Sequence, residues 1–175
     1  GRSQFFQQIG APRMANADTI PFFKAELEDL IAGLEKFTGN KVTDEKLKAA
    51  VKKQNEARAL IKEVYELRKA EHPVISGEDC LKLTMASCDI PVDEYIGLLK
   101  EFLADAKNRA PITDKRARLM VIGSALDDPG YLKVVEEQGA IVVCDMLCFG
   151  SRGYNDELVV DDSDVLGSIA KYYLT

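Results

Sequence analysis

Between Arg118 and Asp145 the chain changes from an apolar run to an amphipathic stretch and back to an apolar run. The three segments are "RLMVIGSA", "DDPGYLKVVEEQG" and "AIVVCD". The apolar runs predict buried strands, and the middle segment predicts a helix that is capped by Asp127 or Asp128 and closed by Gly139. Roughly twenty residues separate the strand centres, which is too many for a hairpin and enough for a parallel crossover. The sequence therefore predicts a βαβ unit.

The residues before this unit predict helices. One begins near "PFFKAELEDL" and ends at Gly39, a long one follows the N-cap Thr43, a third follows the N-cap Ser76, and "PVDEYIGLLKEFLADAKNR" predicts a fourth. We therefore predict an α/β fold with an irregular leader over 1–19, a helical section over 20–112 and a partial Rossmann-like α/β lobe over 113–175. We call the lobe partial because two parallel strands alone leave unpaired edges. The missing strands belong either to sequence lost from this chain or to another chain. We expect the chain to be an internal or truncated piece of a longer protein.

Charge and hydropathy exclude some classes of function. The chain has 175 residues and a formal net charge of −6, whereas proteins that bind nucleic acid usually present a basic face to the phosphates. No apolar run approaches the ~20 residues of a membrane helix, and the first residues do not resemble a signal peptide. We expect a cytoplasmic protein without a nucleic-acid or membrane partner.

The four cysteines form no CxxC pair, and we expect them to be reduced thiols: Cys80, Cys88, Cys144 and Cys148. Cys80 and Cys88 are predicted to be small core residues of one helix, and Cys144 a packed residue at the end of a strand. A metal held between Cys144 and Cys148 would need ligands from elsewhere, so we predict no metal site here.

A polar group also interrupts the apolar stripe of the long helix. Arg58 lies on the face of Ile61 and Tyr65. Because a buried unpaired charge is costly, we expect a carboxylate across a helix interface to pair with Arg58. A contact with substrate is the alternative.

The two loops that follow the predicted strands, "GSALDDP" and "DMLCFGSRG", form the candidate site, since open parallel sheets bind ligands beyond the carboxyl ends of their strands. We expect the loops to adjoin. The first lacks GxGxxG and GxxxxGK[ST], which disfavours a nucleotide site. Glycines admit a close approach, and a hydroxyl, a guanidinium and a thiol can meet an anionic ligand. The candidate substrate-binding residues are Gly123, Ser124, Cys148, Gly150, Ser151 and Arg152; the catalytic residues are unknown. The alternative for Gly123 and Ser124 is a tight turn before a helix, and the alternative for the second loop is a surface turn whose arginine forms an ion pair.

The segment "RLMVIGSALDDPGYLKVVEEQGAIVVCDMLCFGSRGY", together with "GNKVTDEKLKAAVKKQNEARALIKEVYELR" and "PVISGEDCLKL", resembles the 2-hydroxyacyl-CoA dehydratase and benzoyl-CoA reductase family. The resemblance is to a dehydratase D-component-like subunit and extends from about Pro12 to the end. The shared pattern is a strand ending in a Gly-Ser turn, an Asp-rich cap, a helix ending Glu-x-x-Gly, and an apolar strand running into Cys-x-Gly-Ser/Thr-Arg.

This resemblance implies a subunit of a two-subunit, oxygen-sensitive enzyme of anaerobic metabolism. Such enzymes carry 4Fe-4S clusters and receive an electron from a separate ATP-hydrolysing activator protein. They act on acyl-CoA thioesters, either as lyases that dehydrate a 2-hydroxyacyl-CoA through a ketyl radical or as oxidoreductases that reduce an aromatic ring. The implied partners are a related second subunit, the activator and the acyl-CoA substrate.

The chain departs from the family pattern in extent. The amino-terminal lobe with its cluster cysteines is absent, and the chain stops at Thr175 before a later cysteine. We therefore expect this chain alone to be inactive, and Cys148 to line the active site without ligating iron. The alternative function is a non-catalytic helical plus α/β protein-interaction module. A natural reading frame from Gly1 to Thr175 would favour that module.

The first prediction concerns the cofactor. The cysteines of this chain are dispersed over a helix and one strand end, so the isolated chain should bind no 4Fe-4S cluster. Anaerobic reconstitution followed by iron and sulfide assays measures this. Stoichiometric iron that is lost in Cys148→Ala would contradict the prediction and would make Cys148 a ligand.

Overall fold

A computed structural model describes residues 5–14, 16–154 and 156–174. In chain order the elements are α1 (Thr19–Thr38), α2 (Asp44–Leu67), α3 (Gly77–Asp89), α4 (Val92–Ala106), β1 (Ala117–Ile122), α5 (Gly130–Glu137), β2 (Ala140–Met146), a 3₁₀ turn (Ser151–Gly153) and α6 (Val165–Leu174). The predicted α/β fold with its helices first is confirmed. Within the described ranges, no helix is long and apolar enough to cross a bilayer.

Local chemistry sets the helix ends. Gly39 closes α1 with a φ of 74°, a left-handed conformation that glycine adopts without a steric penalty. The Ser76 hydroxyl accepts a hydrogen bond from Asp79 N (3.0 Å) at the start of α3. Both predicted helix ends are confirmed.

β1 and β2 pair in parallel, with α5 between them in sequence. The register runs from Ala117 opposite Ala140 and contains one irregularity, because Leu119 pairs with Val142 whereas Met120 pairs with Cys144. One residue of β2 therefore has no counterpart, as in a β-bulge. The predicted βαβ unit is confirmed.

The chain divides into two compact units. The described residues of Gly1–Lys52 and Leu158–Thr175 form the first, in which α1 packs against α6 and Lys24 pairs with Asp164 (2.8 Å). Lys53–Glu157 forms the second, which holds α3, α4, α5 and both strands. The predicted division into leader, helical section and lobe stays a prediction.

The second unit has two apolar clusters. One joins α2, α3 and α4 around Ile61, Cys80 and Leu99. The other packs α3 and α5 on the sheet through Leu81, Leu132, Val142 and Leu147. Burial of this apolar area is the main stabilising contribution to the unit.

A buried carboxylate fixes α3 on the sheet. Glu136 of α5 accepts hydrogen bonds from Gly77 N (2.8 Å) and Val142 N (3.0 Å) at Oε1, and from Glu78 N (3.3 Å) at Oε2. A Cβ atom on Gly77 would lie 2.5 Å from Val142 Cβ. The start of α3 can approach β2 this closely only because residue 77 is a glycine.

The opposite face of the sheet is exposed. The paired residues Met120 and Cys144, and Ile122 and Met146, share that face and are open to solvent. We expected both strands to be buried, and that expectation is wrong for β1. The prediction that Cys144 is packed is therefore also wrong.

The two cysteines of α3 differ. Cys80 is fully buried, as predicted, but Cys88 is exposed, so its assignment to the core is wrong. Two residues eight positions apart are displaced by about 80° around a helix. The apolar face of this short helix does not extend that far at its end.

A pH prediction follows for Cys80. Burial raises the pKa of the Cys80 thiol from 9.0 to about 11, although the nearby Arg68 guanidinium acts to lower it. As the pH rises, the thiol of the unfolded chain ionises before that of the folded chain. The contribution of Cys80 to the free energy of unfolding is therefore complete below pH 9 and is lost as the pH rises towards 11. The loss is about 2–3 kcal/mol at 1.36 kcal/mol per pKa unit. Urea unfolding across this range should show a shallower pH slope for Cys80→Ala than for wild type. Cys88→Ala, the exposed control, should keep the wild-type slope; equal slopes for all three proteins would contradict the assignment.

Candidate functional site

The two predicted loops adjoin at the carboxyl ends of the strands. Cys148 N donates to Ser124 O (3.2 Å), and Gly123 N donates to Met146 O (3.3 Å). The topology places these ends at one edge of the sheet, and the backbone bonds keep the loops in contact. Their predicted proximity is confirmed, whereas their role in binding stays a prediction.

The centre of this region is a carboxylate that the sequence reasoning missed. Asp145, near the end of β2, is only 7% exposed. Its Oδ2 accepts from Arg68 Nη1 (2.7 Å), its Oδ1 accepts from Ser151 N (2.8 Å), and the Tyr65 hydroxyl lies 3.0 Å from Oδ2 and 3.2 Å from Oδ1. Donors from α2, from the residue after α2 and from the loop thus converge on one side chain.

Arg68 is fully buried and is fixed to β2 by more than the ion pair. Its Nη2 donates to Val142 O (3.0 Å), its Nη1 also lies 3.3 Å from Cys80 Sγ, and its guanidinium carbon lies 4.8 Å from the Tyr65 ring centroid. Burial and the neighbouring acidic groups raise the pKa of Tyr65 far above its ordinary value. The Tyr65 hydroxyl therefore stays protonated and acts as a donor.

Arg58, which the sequence singled out, is also buried. Its Nη1 donates to Asn55 Oδ1 of the same helix (3.0 Å). The signal that pointed to Arg58 was its place in an apolar stripe. Arg68 lies seven residues after Ile61, two turns along the same stripe, so the same signal could have found it.

Asp145 also fixes the start of the 3₁₀ turn. Ser151 Oγ donates to Asp145 O (2.6 Å), so this serine is bound to Asp145 through both its amide and its hydroxyl. A Cβ atom on Gly150 would lie 2.1 Å from Asp145 Oδ1, whereas one on Gly153 would meet nothing within 4 Å. Gly150 is required by the protein's own carboxylate, independently of any ligand.

Cys148 and Arg152 lie on the solvent side of the loop. Both are exposed, and Arg152 Nη1 is 3.8 Å from Cys148 Sγ. Among the residues that the structure describes, no carboxylate oxygen lies within 4 Å of the Arg152 guanidinium. The alternative was a surface turn whose arginine forms an ion pair, and the described residues provide no carboxylate for that pair.

A cleft of about 280 Å³ opens on the α2 side of the loop. Its lining residues are Lys62, Tyr65, Glu66, Ser151 and Tyr154. Ser151 is the one candidate residue that lines it. The Lys62 ammonium can donate hydrogen bonds to a ligand with carbonyl or anionic oxygens, whereas the Tyr65 and Ser151 hydroxyls already donate their protons to Asp145.

The cysteines do not fit a 4Fe-4S cluster, which needs four converging thiolates. Cys80 is buried against Arg68, Cys88 is on α3, and Cys144 is on the exposed sheet face. Within the described part of the chain, no three cysteine, histidine or acidic side chains converge on a metal-sized site. No reaction step is therefore assigned to a cluster held by these residues.

Comparison with known proteins settles the family. The family model described as 2-hydroxyglutaryl-CoA dehydratase, D-component, matches residues 4–175. The chain belongs to this family. The resemblance inferred from the loop motifs is confirmed.

Two relatives illustrate the family's range. The chain is 34% identical over 126 residues to a subunit of the benzoyl-CoA reductase of Thauera aromatica, covering 71% of this chain and 33% of that protein. It is 26% identical over 134 residues to the (R)-phenyllactyl-CoA dehydratase beta subunit of Clostridium sporogenes, covering 76% and 36%. The chain thus matches about a third of the length of these curated relatives.

For this D-component chain, the glycines of the loop give a matched pair of variants. Gly150→Ala should lower the free energy of unfolding by about 1–3 kcal/mol, because the new methyl group overlaps a carboxylate that three donors hold in place. The methyl group of Gly153→Ala would lie in open space, so this variant should change the free energy of unfolding by no more than about 0.5 kcal/mol. Chemical denaturation of both variants measures the difference. Equal stabilities would contradict the close approach of Gly150 to Asp145.

Proposed function

We propose that this chain is part of a subunit of an ATP-activated, iron–sulfur-dependent enzyme that acts on an acyl-CoA thioester. The enzyme is a 2-hydroxyacyl-CoA dehydratase or a benzoyl-CoA reductase. The observation that carries the proposal is the match of the D-component family model to residues 4–175. Relatives named for both activities support the substrate class that the two share.

The proposed reaction is a one-electron reduction of the thioester. It yields either a ketyl radical that allows loss of the 2-hydroxyl group or the first intermediate of ring reduction. The proposed partners are a related second subunit and an ATP-hydrolysing activator protein, and the proposed location is the cytoplasm. The iron–sulfur cluster is assigned to other parts of the enzyme, since the described cysteines do not fit one.

The residues of this chain are proposed to form one wall of the substrate site. The wall comprises Gly123, Ser124, Cys148, Gly150, Ser151 and Arg152. Arg152 contributes its exposed guanidinium, which can make a planar, two-pronged contact with a carboxylate or phosphate or donate to a thioester carbonyl. Cys148 lies beside it and shapes the same surface.

Variants of Arg152 test this wall in the full-length, assembled and activated enzyme. Loss of a charged hydrogen bond is worth about 1.5–3 kcal/mol, so Arg152→Ala should lower kcat/KM by roughly 10-fold to 100-fold. Arg152→Lys should recover only part of this loss, because an ammonium cannot make the two-pronged contact. Steady-state kinetics with a 2-hydroxyacyl-CoA and with benzoyl-CoA measure both variants.

The matched control is Arg109→Lys, an exposed arginine that pairs with Asp105 one helical turn away. It should retain wild-type kcat/KM. A wild-type kcat/KM in Arg152→Ala would contradict the proposed wall and would show that the loop is an ordinary surface turn. An assembled wild-type enzyme that converts neither thioester would contradict the proposed function itself.

A further inference from the structure

Asp145 connects the core of the second unit to the loop that carries the proposed substrate wall. On the core side its carboxylate is held by Arg68 and Tyr65. On the loop side it holds Ser151 at two points, the amide N–H and the hydroxyl. The next residue is Arg152, whose guanidinium reaches Cys148 Sγ.

We propose that Asp145 is a positioning residue for substrate. Its carboxylate fixes Ser151, and through Ser151 it sets the direction of Arg152 and the place of Cys148 at the sheet edge. The inference rests on the proposed function for its ligand, an acyl-CoA thioester. The fixing of the loop rests on the contacts of Asp145 alone.

The hydrogen-bond pattern requires a carboxylate at this position. Both oxygens face donors, because Oδ2 accepts from Arg68 and Oδ1 accepts from Ser151 N, with the Tyr65 hydroxyl within reach of each. An asparagine has the same shape but one acceptor oxygen. Its NH₂ group would face either the guanidinium or the Ser151 amide, donor against donor. Asp145→Asn therefore removes the pattern without removing volume.

The backbone is adapted to the same carboxylate. The loop passes so close to Asp145 that residue 150 has room for no Cβ atom. A fixed path with one glycine at the closest point gives the following serine and arginine a defined direction. Such preorganisation of a binding group by a supporting residue lowers the cost of ordering that group when ligand binds.

The cleft beside the loop is bounded in part by groups that contact Asp145. Tyr65 and Ser151 both contact Asp145, and both line the cleft of about 280 Å³. A ligand group that enters the cleft meets two walls that are held by one carboxylate. Loss of the carboxylate should therefore weaken substrate binding and should act more on KM than on kcat.

The test compares Asp145→Asn with Asp114→Asn in the full-length, assembled enzyme. Asp114 is an exposed aspartate whose Oδ2 lies 3.6 Å from Lys115 Nζ, so it controls for loss of a charge. Hydrogen exchange measured by mass spectrometry follows the amides of residues 147–154 and, as a reference, those of α4. In Asp145→Asn the loop amides should exchange at least about tenfold faster, while the α4 amides keep their wild-type rates.

Kinetics supply the second readout. Asp145→Asn should raise KM for the thioester about tenfold, with a smaller change in kcat, and Asp114→Asn should match wild type. If Asp145→Asn does not fold, Tyr65→Phe provides a milder variant that removes one donor and keeps the ion pair. It should raise loop exchange and KM about threefold.

Three results would overturn the proposal. Unchanged loop exchange would show that Asp145 does not fix the loop. Equal acceleration in the loop and in α4 would show a general loss of stability. Faster loop exchange with wild-type kcat/KM would show that the loop direction does not matter to the substrate. Failure of the proposed function is distinct, because it appears as absence of turnover in the wild-type enzyme.

Discussion

The relative placement of α2, β2 and the loop after β2 depends on the buried ion pair between Arg68 and Asp145. Both groups lose almost all of their hydration, which costs several kcal/mol per ion. The structure offsets this cost with their mutual attraction and with four contacts from neighbouring groups, namely Tyr65, Cys80 Sγ, Val142 O and Ser151 N. The pair joins the end of α2 to β2. Because removal of one partner would leave an uncompensated buried charge, we regard the two residues as one structural element. The loop after β2 takes its path from this element.

A second buried carboxylate acts in parallel. Glu136 accepts amide protons from the start of α3 and from β2, and thereby holds the helix on the sheet. The two carboxylates act at different ends of β2. Asp145 lies near the carboxyl end of the strand, and Glu136 binds the strand near its start. Each carboxylate accepts hydrogen bonds from buried backbone or side-chain donors, which apolar packing alone would leave unsatisfied. Polar contacts of this kind set the relative placement of elements whose burial the apolar clusters drive.

The sequence predicts what is set by local chemistry or by topology, such as the N-cap of Ser76, the parallel crossover and the proximity of the two loops. Tertiary contacts are not predicted in this way. Arg68 and Asp145 are separated by 77 positions, and nothing in the apolar run "AIVVCD" indicates which buried cation will meet its aspartate. The loop is identified from its residue types, but the pattern suggests a ligand as the reason for Gly150, whereas the structure supplies a carboxylate. The family resemblance supplies the chemistry, since similar turns occur in many folds.

The exposed face of the sheet has a consequence for redox chemistry. Met120 and Met146 are both exposed beside Cys144, and Met120 is paired directly with that cysteine. In the isolated chain an oxidant can reach these exposed side chains while the fold remains intact, and each methionine sulfoxide would place a polar, chiral group on an otherwise apolar surface. Exposure to air would then change the hydropathy of this face before it changed the core, where the Cys80 sulfur is enclosed.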